Sequence, residues 1–146
     1  MARLVGKTVA EVQANRLETA RGFAEKYSMT LVLKGARTLI AHPDGSVAVN
    51  TTGNPAMAKG GSGDLLTGIV AGLLAQYRNE TARAVEAAVF MHGLAADFAV
   101  RDVDEHTLLA TDTVREFSRA FRFRSRRQNG YVWLQGHCMQ QDPLKG

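Results

Sequence analysis

Residues 80–100 restrict what this chain can fold into more than any other stretch. The spacing of apolar residues predicts a helix, but those residues fall on most of its sides. They are Ala84, Val85, Ala88, Val89, Met91, Leu94, Ala95 and Phe98. A helix that is apolar on most sides has to be buried by other elements. The rest of the chain is therefore expected to supply layers that cover it.

Helix and strand signals occupy the first 50 residues. An amphipathic pattern predicts a helix from Thr8 to about Tyr27, and Thr8 and Glu11 have the spacing of a capping box. Short apolar runs predict three strands, at residues 30–35, 38–42 and 46–50. Pro43-Asp44-Gly45 predicts the turn between the last two strands.

Three helices are predicted downstream. Apolar spacing predicts helices at about 65–76, 80–100 and 111–121, whereas residues 125–146 show no period and are expected to form a loosely ordered tail. This order indicates an α/β or α+β layered fold. Three short strands offer little sheet to bury so much apolar helix surface. Either the chain self-associates, or further strands belong beside these.

Composition excludes several classes of protein. No stretch of about 18 apolar residues predicts a membrane span, and the N-terminus lacks the apolar segment of a signal peptide. The single cysteine, Cys138, excludes an internal disulfide framework and provides no metal-ligand spacing. A cytoplasmic location and no resident metal site are therefore predicted.

The net charge is +4, and five arginines lie within nine residues, at positions 119, 122, 124, 126 and 127. They form either a solvated segment or a nucleic-acid-binding end; nucleic acid is the less favoured partner because no recognition motif accompanies them.

A glycine-rich loop precedes the predicted helix at 65–76. Gly60, Gly61 and Gly63 would let an anion approach the unpaired amides of the first helical turn. The loop is neither a Walker loop, because Asp64 follows Gly63, nor a dinucleotide fingerprint, because residues 50–57 separate it from the nearest strand. The alternative is an ordinary helix start, with Ser62 as its cap and Asp64 complementing the dipole. The glycine pattern alone leaves both interpretations open.

The position of Asp64 favours phosphoryl transfer. A phosphate held by the loop amides would lie near this carboxylate, which could accept a proton from a hydroxyl group attacking phosphorus. The amides would stabilise the charge on the transferred group. His92, on the mostly apolar helix, is expected to be a satisfied or half-buried histidine and not a ligand.

Several segments resemble one family in order and spacing. Residues 50–76 read NTTGNPAMAKGGSGDLLTGIVAGLLAQ, and they are similar to the signature of the ADP- or ATP-dependent NAD(P)H-hydrate dehydratases of the ribokinase-like superfamily. The similarity extends to LVLKGARTLIAHPDG upstream and to AVFMHGLAADFA and EHTLLATD downstream. It covers about residues 2–123.

The resemblance implies a repair reaction. The family phosphorylates a ring hydroxyl of hydrated NADH or NADPH (NADHX or NADPHX) with ADP or ATP and Mg²⁺, then eliminates phosphate; it is a carbon–oxygen lyase. The resemblance makes Asp64 the catalytic base and a substrate contact, and Asn54 a substrate contact that shapes the loop. It assigns Gly61, Ser62 and Gly63 to the anion hole. It assigns six residues to nucleotide binding: Lys34, Gly35, Ala36, Arg37, Thr38 and Gly63.

The resemblance also has departures. The chain begins after a family motif, threonine-proline-histidine-proline-glycine-glutamate, that helps hold the substrate. The expected fold is thus the C-terminal part of a three-layer α/β ribokinase-like domain over residues 1–124, with the N-terminal strands and helices missing. Ala56 stands where glycine is usual, and Lys59 stands where threonine is common. Lys59 is expected either to add phosphate affinity or to be solvated.

Two alternative functions, and two partners of the protein, are also expected from the sequence. A related kinase would phosphorylate a hydroxyalkyl heterocycle and stop there, and a non-enzymatic fragment would bind nucleic acid through its arginines. The chain is expected to form a homo-oligomer. An NAD(P)H-hydrate epimerase domain joined upstream is the other expected partner.

Overall fold

The computed structural model describes residues 1–123, together with the backbone of residues 125–127 and 130–132. The chain divides into two compact units, Met1–Thr51 and Thr52–Gly146. The predicted extent of one domain, residues 1–124, stays a prediction.

Three helices begin the first unit: α1 (Ala2–Val5), α2 (Val9–Ala14) and α3 (Arg16–Tyr27). The predicted capping box is confirmed, because the Thr8 side chain accepts from the Glu11 amide while the Glu11 carboxylate accepts from the Thr8 amide. The prediction of one helix from Thr8 to Tyr27 is wrong at Asn15, whose φ of −130° and ψ of 45° are not helical. Asparagine favours such breaks, since its side chain competes with helical hydrogen bonds.

The three predicted strands are confirmed as a small antiparallel sheet. Its order is β1 (Leu31–Leu33), β2 (Leu39–Ala41) and β3 (Val47–Val49). Leu31 pairs with Ala41, and Leu39 pairs with Val49. Helix α3 packs on this sheet through a buried cluster of Ala20, Ala24, Leu39 and Ala41. The predicted turn is also present: Asp44 accepts from the Ser46 amide at 2.9 Å, and Gly45 has a φ of 82°.

Helices dominate the second unit. They are a 3₁₀ turn (Pro55–Met57), α4 (Ser62–Gln76), α5 (Thr81–Ala99), α6 (Ala110–Arg115) and α7 (Phe117–Arg122). Thirteen of the nineteen residues of α5 are buried, which confirms that this apolar helix is covered by its neighbours. Leu73 of α4 packs on the alanines of α5, while Ala120 of α7 packs near Phe98. The single helix predicted at 111–121 is divided at Glu116 into α6 and α7.

The end of the chain differs from the expected loose tail where it is described. The backbones of β4 (Ser125–Arg127) and β5 (Gly130–Val132) pair antiparallel, with Ser125 opposite Val132. The Asn-Gly dipeptide at 129–130 is a hairpin signal that the sequence prediction missed, although Gly130 itself belongs to β5, opposite Arg127. The rest of the predicted tail lies outside the described residues.

Among the described residues, no helix is both long and apolar enough to span a membrane. The cytoplasmic location stays a prediction.

Candidate active site

The glycine loop ends in a left-handed residue at the start of α4. Gly61 is the N-cap, with a φ of 85° and a ψ of −24°. This conformation favours glycine because a Cβ would be strained there. The first amide to bond back is that of Leu65, which donates to the Gly61 carbonyl at 3.0 Å. The amides before it belong to the helical turn that has no intrahelical acceptors. They include those of Gly61, Ser62 and Gly63, for which an anion hole was predicted.

The entrance of α4 is open to solvent. Gly60, Gly61 and Asp64 are exposed, and Gly63 is partly exposed. A Cβ built on Gly60 would meet no atom within 4 Å. An anion therefore has access to the main chain, and the Asp64 carboxylate lies in the first turn beside it. A shallow depression lined by Tyr77 and other residues adjoins the opposite end of α4 and is separate from this entrance.

Ser62 does not cap the helix, so that part of the alternative interpretation is wrong. Gly61 takes the cap position, and no side-chain hydrogen bond caps α4. The Ser62 side chain turns inward instead and lies 3.5 Å from Nε2 of His92. His92 is only 3% exposed, which confirms that it is a buried and hydrogen-bonded histidine. Among the described residues, no three His, Cys, Asp or Glu side chains form a group that could hold a metal ion.

Asp97 of α5 anchors the segment that leads into the glycine loop. Its carboxylate accepts from the Gly53 amide at 2.8 Å and from the Asn54 side-chain amide at 3.0 Å. Asn54 in turn accepts from the Ala56 amide at 3.2 Å and caps the 3₁₀ turn. The Thr52 hydroxyl adds a hydrogen bond to the Phe90 carbonyl at 2.8 Å.

Gly93 lets this segment approach α5 closely. A Cβ on Gly93 would lie 2.7 Å from the carbonyl carbon of Thr52 and 2.8 Å from its oxygen. Both are backbone atoms, so no rotamer change could relieve the clash. Any side chain at Gly93 would push the segment away from its anchor on Asp97.

Lys59 is not simply solvated, which was one of its two predicted roles; the other, added phosphate affinity, stays a prediction. Its ammonium group is not solely solvated: it donates to the carbonyl oxygens of Glu105 at 3.1 Å, His106 at 2.7 Å and Leu108 at 2.9 Å. An ammonium has three N–H donors, and these three acceptors match that number. The lysine therefore joins two segments of the second unit through these carbonyls.

The predicted nucleotide segment, Lys34 to Thr38, connects β1 to β2 in the first unit. Lys34, Gly35, Ala36 and Arg37 are exposed, and Thr38 is half-buried. Gly35 has a φ of 144° and Arg37 a φ of 54°. A positive φ is uncommon at a non-glycine residue and marks a constrained turn. The Thr38 hydroxyl closes this turn by donating to the Gly35 carbonyl at 3.2 Å.

Arg16 holds this turn from the start of α3. Its guanidinium donates to the carbonyls of Ala36 at 2.7 Å and Leu33 at 3.2 Å. A Cβ on Gly35 would lie 3.0 Å from Nη2 of Arg16, so glycine gives the guanidinium room. The break at Asn15 places Arg16 at the first position of α3.

The arginine-rich end is only partly described. Arg119 lies 4.5 Å from the centre of the Phe98 ring and 3.6 Å from the Glu116 carboxylate. Arg122 donates to the Ser118 carbonyl at 3.2 Å. These two arginines thus have partners within the second unit. The side chains of Arg124, Arg126 and Arg127 lie outside the described residues.

The structure gathers some of the predicted site residues in each unit. Gly61, Ser62, Gly63 and Asp64 share the α4 entrance, and Asn54 belongs to the anchored segment before it. Lys34 to Thr38 belong to the first unit. Asp97, Gly93 and Arg16 were not predicted as site residues. The residues that they contact lie far away in the sequence, so no local sequence pattern predicts these contacts.

Comparisons with known proteins point to one family. The family model described as NAD(P)H-hydrate dehydratase matches residues 1–119. An ADP-dependent (S)-NAD(P)H-hydrate dehydratase of Bacillus subtilis is 44% identical over 108 residues, which are 74% of this chain and 39% of that protein. A bifunctional NAD(P)H-hydrate repair enzyme of Moorella thermoacetica is 49% identical over 112 residues, 77% of this chain and 21% of its own length.

A solved structure is similar in fold. It is the ADP/ATP-dependent NAD(P)H-hydrate dehydratase of Bacillus subtilis, co-crystallised with ATP and Mg²⁺ and soaked with CoA, and it matches with a TM-score of 0.77 and 40% identity over 82% of this chain and 44% of that one. The chain spans less than half the length of these relatives. The α/β fold is thus part of the fold of that enzyme. By sequence and by structure, the chain belongs to the NAD(P)H-hydrate dehydratase family.

Proposed function

We propose that this chain carries the phosphoryl-transfer site of an ADP- or ATP-dependent NAD(P)H-hydrate dehydratase. The proposed substrates are hydrated NADH and hydrated NADPH. The ring hydroxyl takes a phosphoryl group from the nucleotide. The carbon–oxygen bond to phosphate then breaks and the adjacent ring carbon loses a proton, which restores the double bond of NADH or NADPH. The proposal depends above all on one observation, the exposed glycine entrance of α4 with Asp64 in its first turn.

The α4 entrance would hold the phosphoryl group. The amides of Gly61, Ser62 and Gly63 adjoin the positive end of a helix of 15 residues. Charge builds on the transferred group in the transition state, and fixed amide dipoles stabilise it without reorganising. Since Gly60 and Gly61 have no side chains, a phosphate can reach the main chain.

Asp64 would receive the proton of the attacking hydroxyl. A new bond forms between the ring oxygen and phosphorus, while the bond between phosphorus and the nucleotide's bridging oxygen breaks. The exposed carboxylate of Asp64 is free to turn toward an incoming alcohol. In a loose phosphoryl-transfer transition state the proton leaves late, so the position of this base matters more than its basicity.

The segment from Lys34 to Thr38 would bind the nucleotide. Lys34 and Arg37 supply exposed positive charge on a turn whose shape is held by Arg16. Mg²⁺ would arrive on the nucleotide phosphates, which is the usual way magnesium enters such sites. Bound there, the ion would neutralise phosphate charge.

Asn54 would shape the glycine loop against the substrate. The proposal also includes partners of the whole protein. The name "bifunctional" of the Moorella relative is in keeping with an epimerase domain joined upstream in some members. A homo-oligomer stays a prediction; several large apolar side chains are exposed among the described residues, such as Leu4, Val9 and Leu109.

The test is turnover with and without the carboxylate of Asp64. The chain is supplied with hydrated NADH, ADP or ATP, and Mg²⁺, and both NADH and inorganic phosphate are measured. Asp64→Asn is expected to lower turnover by about 10²–10⁴, while ADP affinity stays nearly unchanged. Asp102→Asn is the matched control, since this carboxylate is exposed and lies outside the α4 entrance.

Four outcomes would contradict the proposal. Unchanged turnover in Asp64→Asn would refute the base role, and normal ADP affinity in Gly63→Val would refute the anion hole. A stable phosphoester without release of phosphate would identify the related kinase reaction instead. Absence of turnover by the unaltered chain with either nucleotide would refute the activity of this chain.

A further inference from the structure

We propose that Lys59 is a positioning residue that ties the glycine loop to the turn at residues 104–108 and so maintains the shape of the α4 entrance. The link to phosphate binding rests on the proposed function. The tether itself rests only on contacts within the second unit.

The first observation is the set of acceptors around the Lys59 ammonium. Three carbonyl oxygens, from Glu105, His106 and Leu108, lie between 2.7 and 3.1 Å from Nζ. Hydrogen bonds from a charged donor are stronger than those between neutral groups. A lysine that only covered the surface would not place its nitrogen among three backbone acceptors separated from it by 46 to 49 residues.

The second observation is that the turn carrying these carbonyls is itself held in place. The Asp104 carboxylate accepts from the His106 amide at 2.8 Å, and the Asp104 carbonyl accepts from the amides of Thr107 and Leu108 at 3.0 Å. Leu108 is 2% exposed and packs with Ala56 of the 3₁₀ turn. The acceptors thus form a preorganised site for the ammonium, and both ends of the tether adjoin the same core.

The third observation is the place of Lys59 in the sequence. It directly precedes Gly60 and Gly61, whose backbone would otherwise have wide conformational freedom. Beyond the turn, Ala110 begins α6, and its Cβ would lie 3.4 Å from a Cβ built on Gly61. Lys59 therefore restrains the loop immediately before the anion site, and its charge acts through position and not through a direct bond to phosphate.

Hydrogen exchange tests the tether directly. Lys59→Met keeps an unbranched side chain, shorter by the terminal ammonium position only, and Lys7→Met is the matched control at an exposed lysine of the first unit. In Lys59→Met we expect the amides of Thr107, Leu108 and Leu65 to exchange about tenfold faster, the effect of losing a charged hydrogen-bond donor. Unchanged exchange at these amides would overturn the inference.

Chemical rescue separates the charge from packing. Lys59→Ala opens space for an added amine, so propylammonium should restore slow exchange while neutral propanol of the same size should not. Equal effects of the two molecules, or no effect of the amine, would overturn the inference.

ADP binding distinguishes this inference from the proposed function. If the unaltered chain binds ADP, Lys59→Met should weaken that binding, and unchanged affinity despite faster exchange would overturn the link to the α4 entrance. If the unaltered chain binds no ADP, the proposed function fails, and the exchange and rescue results still decide whether Lys59 is the tether.

Discussion

Asp97→Asn should destabilise the second unit because it reverses one donor–acceptor contact without changing the shape of the side chain. Both carboxylate oxygens of Asp97 accept hydrogen bonds, one from the Gly53 amide at 2.8 Å and one from the Asn54 side chain at 3.0 Å. Asparagine keeps one acceptor oxygen and replaces the other by an NH₂ group. That group would face a second donor.

The expected loss follows from the two bonds. A hydrogen bond to a charged group contributes about 1.5–3 kcal/mol, and one between neutral groups contributes about 0.5–1.5 kcal/mol. One bond would be lost and the other would become neutral. Asp97 is only half-buried, so water offsets part of this, and we expect a loss of about 2 kcal/mol in the free energy of unfolding. That corresponds to a fall of about 4–8 °C in Tm.

The assay is urea and thermal unfolding, with Asp102→Asn as the control for loss of an exposed carboxylate. Asn54→Asp combined with Asp97→Asn exchanges the donor and the acceptor between the two side chains. This double variant should recover about half of the lost stability, because the new amide at position 97 would then donate to the new carboxylate at position 54 and accept from the Gly53 amide. A double variant no more stable than the single one, or an Asp97→Asn protein as stable as the control, would refute the reasoning.

Two further predictions concern the close approach at Gly93 and the capping box. Gly93→Ala should cost about 1–3 kcal/mol, as overpacking does, since its Cβ would meet the Thr52 backbone at 2.7 Å. Gly72→Ala, with no atom within 4 Å of the new Cβ, should be neutral or stabilising, and equal midpoints of urea unfolding for the two would contradict the first prediction. Thr8→Ala should speed amide exchange in α2, and less so at acid pH. Hydrogen bonds from Thr8 lower the pKa of Glu11 below its ordinary value of 4.5, so the stabilisation is present above that value and is lost as the pH falls through the lowered pKa. An effect of Thr8→Ala that is as large near pH 3 as near pH 7 would contradict this mechanism.

Local sequence patterns predicted much of the fold because these patterns depend only on residues that are close together in the sequence. The burial of α5 follows from its apolar composition on most sides, and the capping box of α2 follows from a spacing of three residues. The entrance of α4 was predicted for the same reason, since glycines and the following acid are consecutive. Local patterns were misleading at the cap of α4, which the alternative interpretation gave to Ser62, and in the helices predicted to continue through Asn15 and Glu116. Gly61 took the cap position through its left-handed backbone, and Asn15 interrupted a helix that apolar spacing alone would continue.

Sequence by itself therefore determined most of the helices, the three-stranded sheet, the family and the glycine entrance. Only the tertiary structure decided how the candidate site is held. Arg16 binds carbonyls that lie 17 to 20 residues away in the sequence, and Asp97 binds the amide of Gly53, 44 residues away. Lys59 binds carbonyls that lie 46 to 49 residues away. The physical reason is that most of these partners are backbone groups. Every residue carries a carbonyl and nearly every residue an amide, so the sequence does not mark which of them a distant side chain will bind. Packing brings the chosen partner within about 3 Å, and only the folded chain shows it.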